Sequence, residues 1–191
     1  MYSDPMASPS RSLAAAPPLA VSQWFNTDSP ISLDDLAGRV VAIEAFQMLC
    51  PGCVSHGLPQ AQRIAQAFAG DVTVLGLHTV FEHHEAMRPV SLQAFLHEYR
   101  IGFPVGVDEH DDPKGTPITM ARYQLRGTPS LILIDRSGRI RLNAFGHVDD
   151  LVVGAALARL IDEPVAEQTA DRGDPNQGCV NETNTNEERI Q

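Results

Sequence analysis

The order of apolar and polar positions divides the chain into alternating strands and helices. Val40-Val41-Ala42-Ile43-Glu44-Ala45-Phe46 is an apolar run that predicts a buried strand, and the segment 51–69 predicts a helix. Val72-Thr73-Val74-Leu75-Gly76-Leu77-His78, β-branched and preceded by Gly70-Asp71, predicts a second strand. Strand, helix and strand form one βαβ unit with parallel pairing. A helix is expected at about 92–100, an extended segment at 103–108 and a short helix at 118–125. Residues 131–135, the turn Arg136-Ser137-Gly138 and residues 139–145 predict an antiparallel hairpin. Asp149-Asp150 then opens a last helix to about 161, with acids placed favourably at its start. Upstream, Trp24-Phe25 lies on an extended segment, and residues 32–38 form a capped turn. No internal repeat is present. These elements in this order predict an α/β fold with a central mixed β-sheet flanked by helices on both faces.

Composition adds boundaries. The 191 residues suffice for one sizeable core. Residues 1–20 are rich in Ser, Ala and Pro and are expected to be flexible, residues 21–162 form the folded domain, and residues 163–191 form an acidic tail expected to be disordered. The net charge is −10, and residues 162–191 hold eight acids against two arginines. The rest of the chain has no basic stripe, so neither nucleic acid nor an anionic membrane is an expected partner. No stretch approaches the roughly 20 apolar residues of a membrane helix. Residues 1–20 also lack the basic start and uninterrupted apolar stretch of a signal peptide, which gives the expectation of a reducing, cytoplasmic setting. In such a compartment a cysteine pair is more often catalytic or metal-binding than structural.

That pair is Cys50-Pro51-Gly52-Cys53, at the junction of the first core strand and the first helix. Unpaired N–H groups and the helix dipole at such a junction stabilise a thiolate, the form that attacks. A zinc site would need two further ligands, and Cys179 stands alone in the tail. His78, His83 and His84, with Glu82 and Glu85, are residue types that bind metal. They lie between a strand end and a helix, where polar residues are expected in any case, and no metal is assigned. His56, one turn past Cys53, either tunes a thiol or faces solvent. Glu44 lies six residues before Cys50 on an otherwise apolar strand, a costly place for a carboxylate without work or a partner.

The strand order, the Cys-x-x-Cys after the first core strand and Gly127-Thr128-Pro129-Ser130 before the hairpin resemble the thioredoxin-like superfamily over roughly 19–162. Within it they resemble most the TlpA-type or redoxin thiol–disulfide oxidoreductases. The resemblance implies that Cys50 attacks a protein or small-molecule disulfide and Cys53 resolves the mixed disulfide. A separate reductant or oxidant then resets the pair, and no cofactor is needed. It implies that Glu44 accepts the proton of Cys53, and that Thr128-Pro129 is a cis-proline loop whose Thr128 backbone pairs with a substrate strand. Met48 and Leu49 either line an apolar contact surface around Cys50 or pack in the core. Leu49 stands where many relatives carry tryptophan, and Pro59 falls six residues after Cys53 rather than the five usual in TlpA-type relatives.

Residues 51–59 also resemble the segment around the peroxide-attacking cysteine of peroxiredoxins. In that register Cys53 or Cys50 is the peroxide-reactive thiol, Cys50 replaces the family's Thr or Ser, and Arg126 stands for its activating arginine. A third reading is a non-enzymatic redox sensor or thiol-dependent binding module. Cys179 is either free, paired with another chain, or a transient resolving thiol.

Overall fold

The computed structural model describes residues 14–112 and 115–164; the expectations for Cys179 and most of the acidic tail lie outside them. Six strands, β1 (Val21–Phe25), β2 (Val40–Phe46), β3 (Val72–His78), β4 (Val105–Asp108), β5 (Ser130–Ile134) and β6 (Ile140–Phe145), form one sheet in the order β1-β4-β3-β2-β5-β6. β2 pairs in parallel with β3, and β3 with β4. The β2–β5, β5–β6 and β1–β4 pairs are antiparallel, so the sheet is mixed, as the sequence predicts.

All seven residues of β2 are buried, which is the property of a central strand covered on both faces and the reason its sequence reads as a continuous apolar run. Alternation assigns the faces. Val40, Ala42 and Phe46 point into one layer with helices α1 (Leu58–Ala67), α2 (Pro89–Glu98) and α4 (Asp150–Asp162), through Leu58, Ile64, Leu92, Leu96, Val153 and Leu157. Val41, Ile43 and Ala45 point the other way, against Met120 and Tyr123 at the short helix α3 (Ile118–Arg122). β2, β3 and β4 are laid side by side by two crossovers, which places α1 and α2 on the same face.

Local signals fix the element ends. The Ser32 N–H and hydroxyl donate to Asp35 Oδ2 at 3.0 and 2.6 Å, and the Asp35 N–H donates back to Ser32 Oγ. This reciprocal cap sets the turn that delivers the chain to β2. Asp149 caps α4 by accepting from the Leu151 N–H at 2.9 Å. Asp108, buried at the end of β4, accepts from the Thr119 and Met120 N–H groups and from the Thr79 hydroxyl. One carboxylate thus ties the ends of β3 and β4 to the start of α3.

Residues 14–20, assigned by composition to the flexible end, run along the body. Ala15 bridges Arg139, the Ala16 N–H donates to Gly138 O, and Pro17 O accepts from the Tyr123 hydroxyl. At the other boundary Glu163, assigned to the tail, pairs with Arg141 at 2.8 Å beside Asp135. Among the described residues no helix is long and apolar enough to cross a membrane.

Candidate active site

β2 runs toward one edge of the sheet and β5 runs away from it. Their last paired residues are Ala45 and Ser130. Five residues beyond Ala45 lies Cys50, and one residue before Ser130 lies Pro129, so the thiol turn and the proline loop spring from neighbouring points. The Thr128–Pro129 peptide bond is cis. Cys50 Sγ lies 3.4 Å from Thr128 O, and the Cys53 N–H donates to Cys50 Sγ at 3.3 Å. Gln47, fully buried at the exit of β2, donates from Nε2 to Thr128 Oγ1 at 3.5 Å and accepts from the Phe81 N–H. It therefore braces the proline loop against the segment after β3.

The two thiols occupy different environments. Cys50 is half-buried and Cys53 fully buried; both are free. Burial pushes the Cys53 thiol up to about 12, and its hydrogen bond with Cys50 adds to the effect. Access therefore favours Cys50 as the sulfur that meets a partner.

Glu44 is 2% exposed, and its Oε1 has no hydrogen-bond partner. Burial raises its carboxyl well above the ordinary glutamate value, and negative charge on Cys50 raises it further. The carboxyl reaches up from β2 to the backbone of Gly57 and the ring of Pro129: a Cβ at Gly57 would overlap Glu44 Oε1 and lie 2.9 Å from Pro129 Cβ. Glu44, the thiol turn and the proline loop thus converge.

The predicted 51–69 helix is interrupted. Cys53–Gly57 is a π turn, in which the Leu58 N–H reaches back five residues to Cys53 O, and regular α-helix follows from Leu58. A π turn holds one residue more than an α turn, which shifts the register by one residue ahead of Pro59. Pro59 sits in the first turn of α1, where it needs no N–H donor.

The remaining candidates separate. Leu49 is 56% exposed beside Cys50, whereas Met48 is 7% exposed and packs within the helix-covered core. Met48 is therefore a core residue and not part of a contact surface, because the turn after β2 directs it inward. Phe145, half-exposed, packs on Gly127, and the exposed Arg126 places its guanidinium 5.6 Å from the Phe145 ring centroid, so both flank the proline loop. His78 is buried at the end of β3, its ring 5.3 Å from that of Phe46, while His83 and His84 lie in the loop beyond. Among the described residues no three His, Cys, Asp or Glu side chains gather to hold a metal. His56 is exposed, bonded through Nδ1 to Ser55 Oγ at 2.7 Å and packed 5.1 Å from the His147 ring. Gln47 and Gly57 are the site residues that pattern reading passes over. Their signals are a polar residue directly after a buried strand and a glycine inside a helical segment.

Comparison with known proteins bears on the family and the fold. The AhpC/TSA family matches residues 14–143. The crystal structure of a thioredoxin-like superfamily protein is 59% identical, with a TM-score of 0.77, covering 80% of this chain and 99% of that one. A thiol-disulfide isomerase from Corynebacterium glutamicum is 51% identical, with a TM-score of 0.74, covering 78% of this chain and 98% of that one. Protein DipZ of Mycobacterium tuberculosis is 28% identical over 156 residues, which are 80% of this chain and 21% of DipZ. NHL repeat-containing protein 2 of Gallus gallus is 30% identical over 128 residues, 65% of this chain and 16% of that protein. The chain thus spans about a fifth of the length of the curated relatives it matches. The fold is thioredoxin-like, and the neighbours support an oxidoreductase role at a general level.

Proposed function

The chain belongs to the AhpC/TSA family of redoxins, and from that premise we propose that it is a thiol–disulfide oxidoreductase worked by Cys50, Cys53 and Glu44. The observation that carries the reading is the placement of Cys50 Sγ, half-buried, against both the Cys53 N–H and the Thr128 carbonyl. A substrate disulfide docked along Thr128 meets the attacking sulfur there.

Exchange takes two displacements. The Cys50 thiolate forms a bond to one sulfur of the target disulfide, and the other sulfur leaves as a thiolate that takes up a proton. The mixed disulfide removes the charge from Cys50, and with it one of the two influences that raise the Glu44 carboxyl. Glu44 is then more readily ionised at the moment its base is needed. It accepts the Cys53 proton, and the Cys53 thiolate attacks Cys50 Sγ and expels the second target thiolate. The target gains two electrons and the enzyme is left as a disulfide, which a separate dithiol reductant resets. The reverse sequence oxidises a dithiol target.

The AhpC/TSA membership also bears on a peroxidase reading, in which one of these thiols attacks a peroxide. Two observations weigh against it: Cys53 is sealed from solvent with its thiol pushed up to about 12, and Arg126 sits over Phe145 beside the loop. Insulin-disulfide reduction measured beside hydrogen-peroxide consumption separates the readings. The expected result is disulfide turnover without peroxide turnover, and accumulation of a Cys50-linked adduct in Cys53→Ser on non-reducing gels. Peroxide turnover alone, or no adduct at Cys50, refutes the proposal.

A further inference from the structure

Gly57 has φ −59° and ψ −59°, ordinary right-handed helical geometry. Nothing in this backbone asks for glycine, and helix propensity favours alanine at such a position. The demand comes from the neighbours. A Cβ there would overlap Glu44 Oε1, lie 3.0 Å from Glu44 Cδ and lie 2.9 Å from Pro129 Cβ. The backbone of Pro129 is held: its carbonyl accepts from the Gly146 N–H at 2.8 Å, and β5 begins at the next residue. The backbone of Glu44 is equally fixed, since β2 is bonded to β3 on one side and β5 on the other. The part that yields most readily is the far end of the Glu44 side chain.

We infer that Gly57 is a positioning residue for Glu44: by lacking a side chain at the end of the π turn, it leaves the space in which the carboxyl reaches the thiol turn and the proline loop. A methyl group at this position forces the carboxyl out of that space. The inference rests on the reading of Glu44 as the proton acceptor for Cys53, and it locates the control of that acceptor in a residue that touches neither thiol nor substrate.

The test is Gly57→Ala, followed by single-turnover reduction of insulin and by 13C NMR titration of the Glu44 carboxyl. Resolution slows about tenfold or more, as expected when a general base is displaced, while KM stays at the wild-type value. The Cys50-linked mixed disulfide builds up, and the Glu44 titration midpoint moves. In Glu44→Ala, where the overlap is gone, adding Gly57→Ala changes the rate by less than about twofold. Glu44→Asp, one methylene shorter, restores resolution when combined with Gly57→Ala. An unchanged rate and midpoint in Gly57→Ala overturn the inference. So does an equal slowing in the Glu44→Ala background, which would place the effect in Pro129. If Gly57→Ala alone fails to fold, normal folding of the Glu44→Ala/Gly57→Ala protein supports the inference, and failure of both overturns it. The NMR midpoint decides the positioning claim separately from the function: a shifted midpoint beside full activity of Glu44→Gln retires the proton-acceptor reading and leaves the packing claim standing.

Discussion

At the scale of single residues, the proposed chemistry rests on a carboxyl that the fold keeps dry. Burial leaves Glu44 a strong base once ionised, because little around it solvates the charge. Its ionisation therefore comes at a higher pH than for a free glutamate, and the resolving rate climbs with pH through that raised value. Glu44→Gln keeps the shape, loses this limb of the pH–rate profile and slows resolution about a hundredfold. Rapid-quench kinetics from pH 5 to 9 check it, and a profile identical to wild type removes Glu44 from the mechanism. The unusual placement of this residue was legible, since a lone acid on a wholly apolar strand stands out in any alternation pattern. Gly57 was not, because the contact that requires it is made with residues 13 and 72 positions away along the chain, Glu44 and Pro129.

Between elements, one buried side chain ties α1 to the link between β6 and α4. Gln60, on the inner face of α1, donates from Nε2 to Val148 O at 2.7 Å and to Asp150 Oδ1 at 2.6 Å. Beside it, Arg63 pairs with the same carboxylate at 3.0 Å, but in the open, where salt and solvent screen the attraction. Gln60→Ala removes two part-buried hydrogen bonds and lowers the unfolding free energy by about 1 kcal/mol, whereas Arg63→Ala leaves the urea midpoint nearly unmoved. Equal effects of the two substitutions would contradict this ranking. The bounds of β2 and β3 follow directly from apolar runs that stop where the chain must turn. α2 begins at Pro89, ahead of the predicted 92, because a proline reads as a break yet suits a first helical turn. The π turn is invisible to periodicity, which reads apolar spacing and not the register of backbone hydrogen bonds.

For the whole molecule, two buried groups oppose each other in their response to pH. His78 is 1% exposed, with neither ring nitrogen bonded, and burial lowers it from 6.5 to about 4. The unfolded chain binds this proton more readily than the folded one, so its contribution is complete above pH 6.5 and fades as pH falls toward 4. Full loss is worth about 3 kcal/mol. Glu44 has the reverse sign: the folded state holds its proton more tightly, so stability is complete below pH 4.5 and falls as pH rises through the raised value. His78→Leu removes the rise in stability between about pH 4 and 6.5, and Glu44→Gln removes the opposing fall that sets in above pH 4.5, as urea titrations across pH will register. The order of strand, helix and strand gave away the fold, but the pairing of β1 with β4 was not readable, because an edge strand's partner is chosen by the finished sheet. The rung joining Ala45 to Ser130 has a practical meaning as well. The spacing between the Cys50 sulfur and the proline loop is set by the main-chain bonds of β2 with β5 and braced by the buried Gln47. The exposed positions around it, Leu49, Arg126 and Phe145, are then open to randomisation and selection, so that exchangers for chosen target proteins can be bred on one unchanging frame.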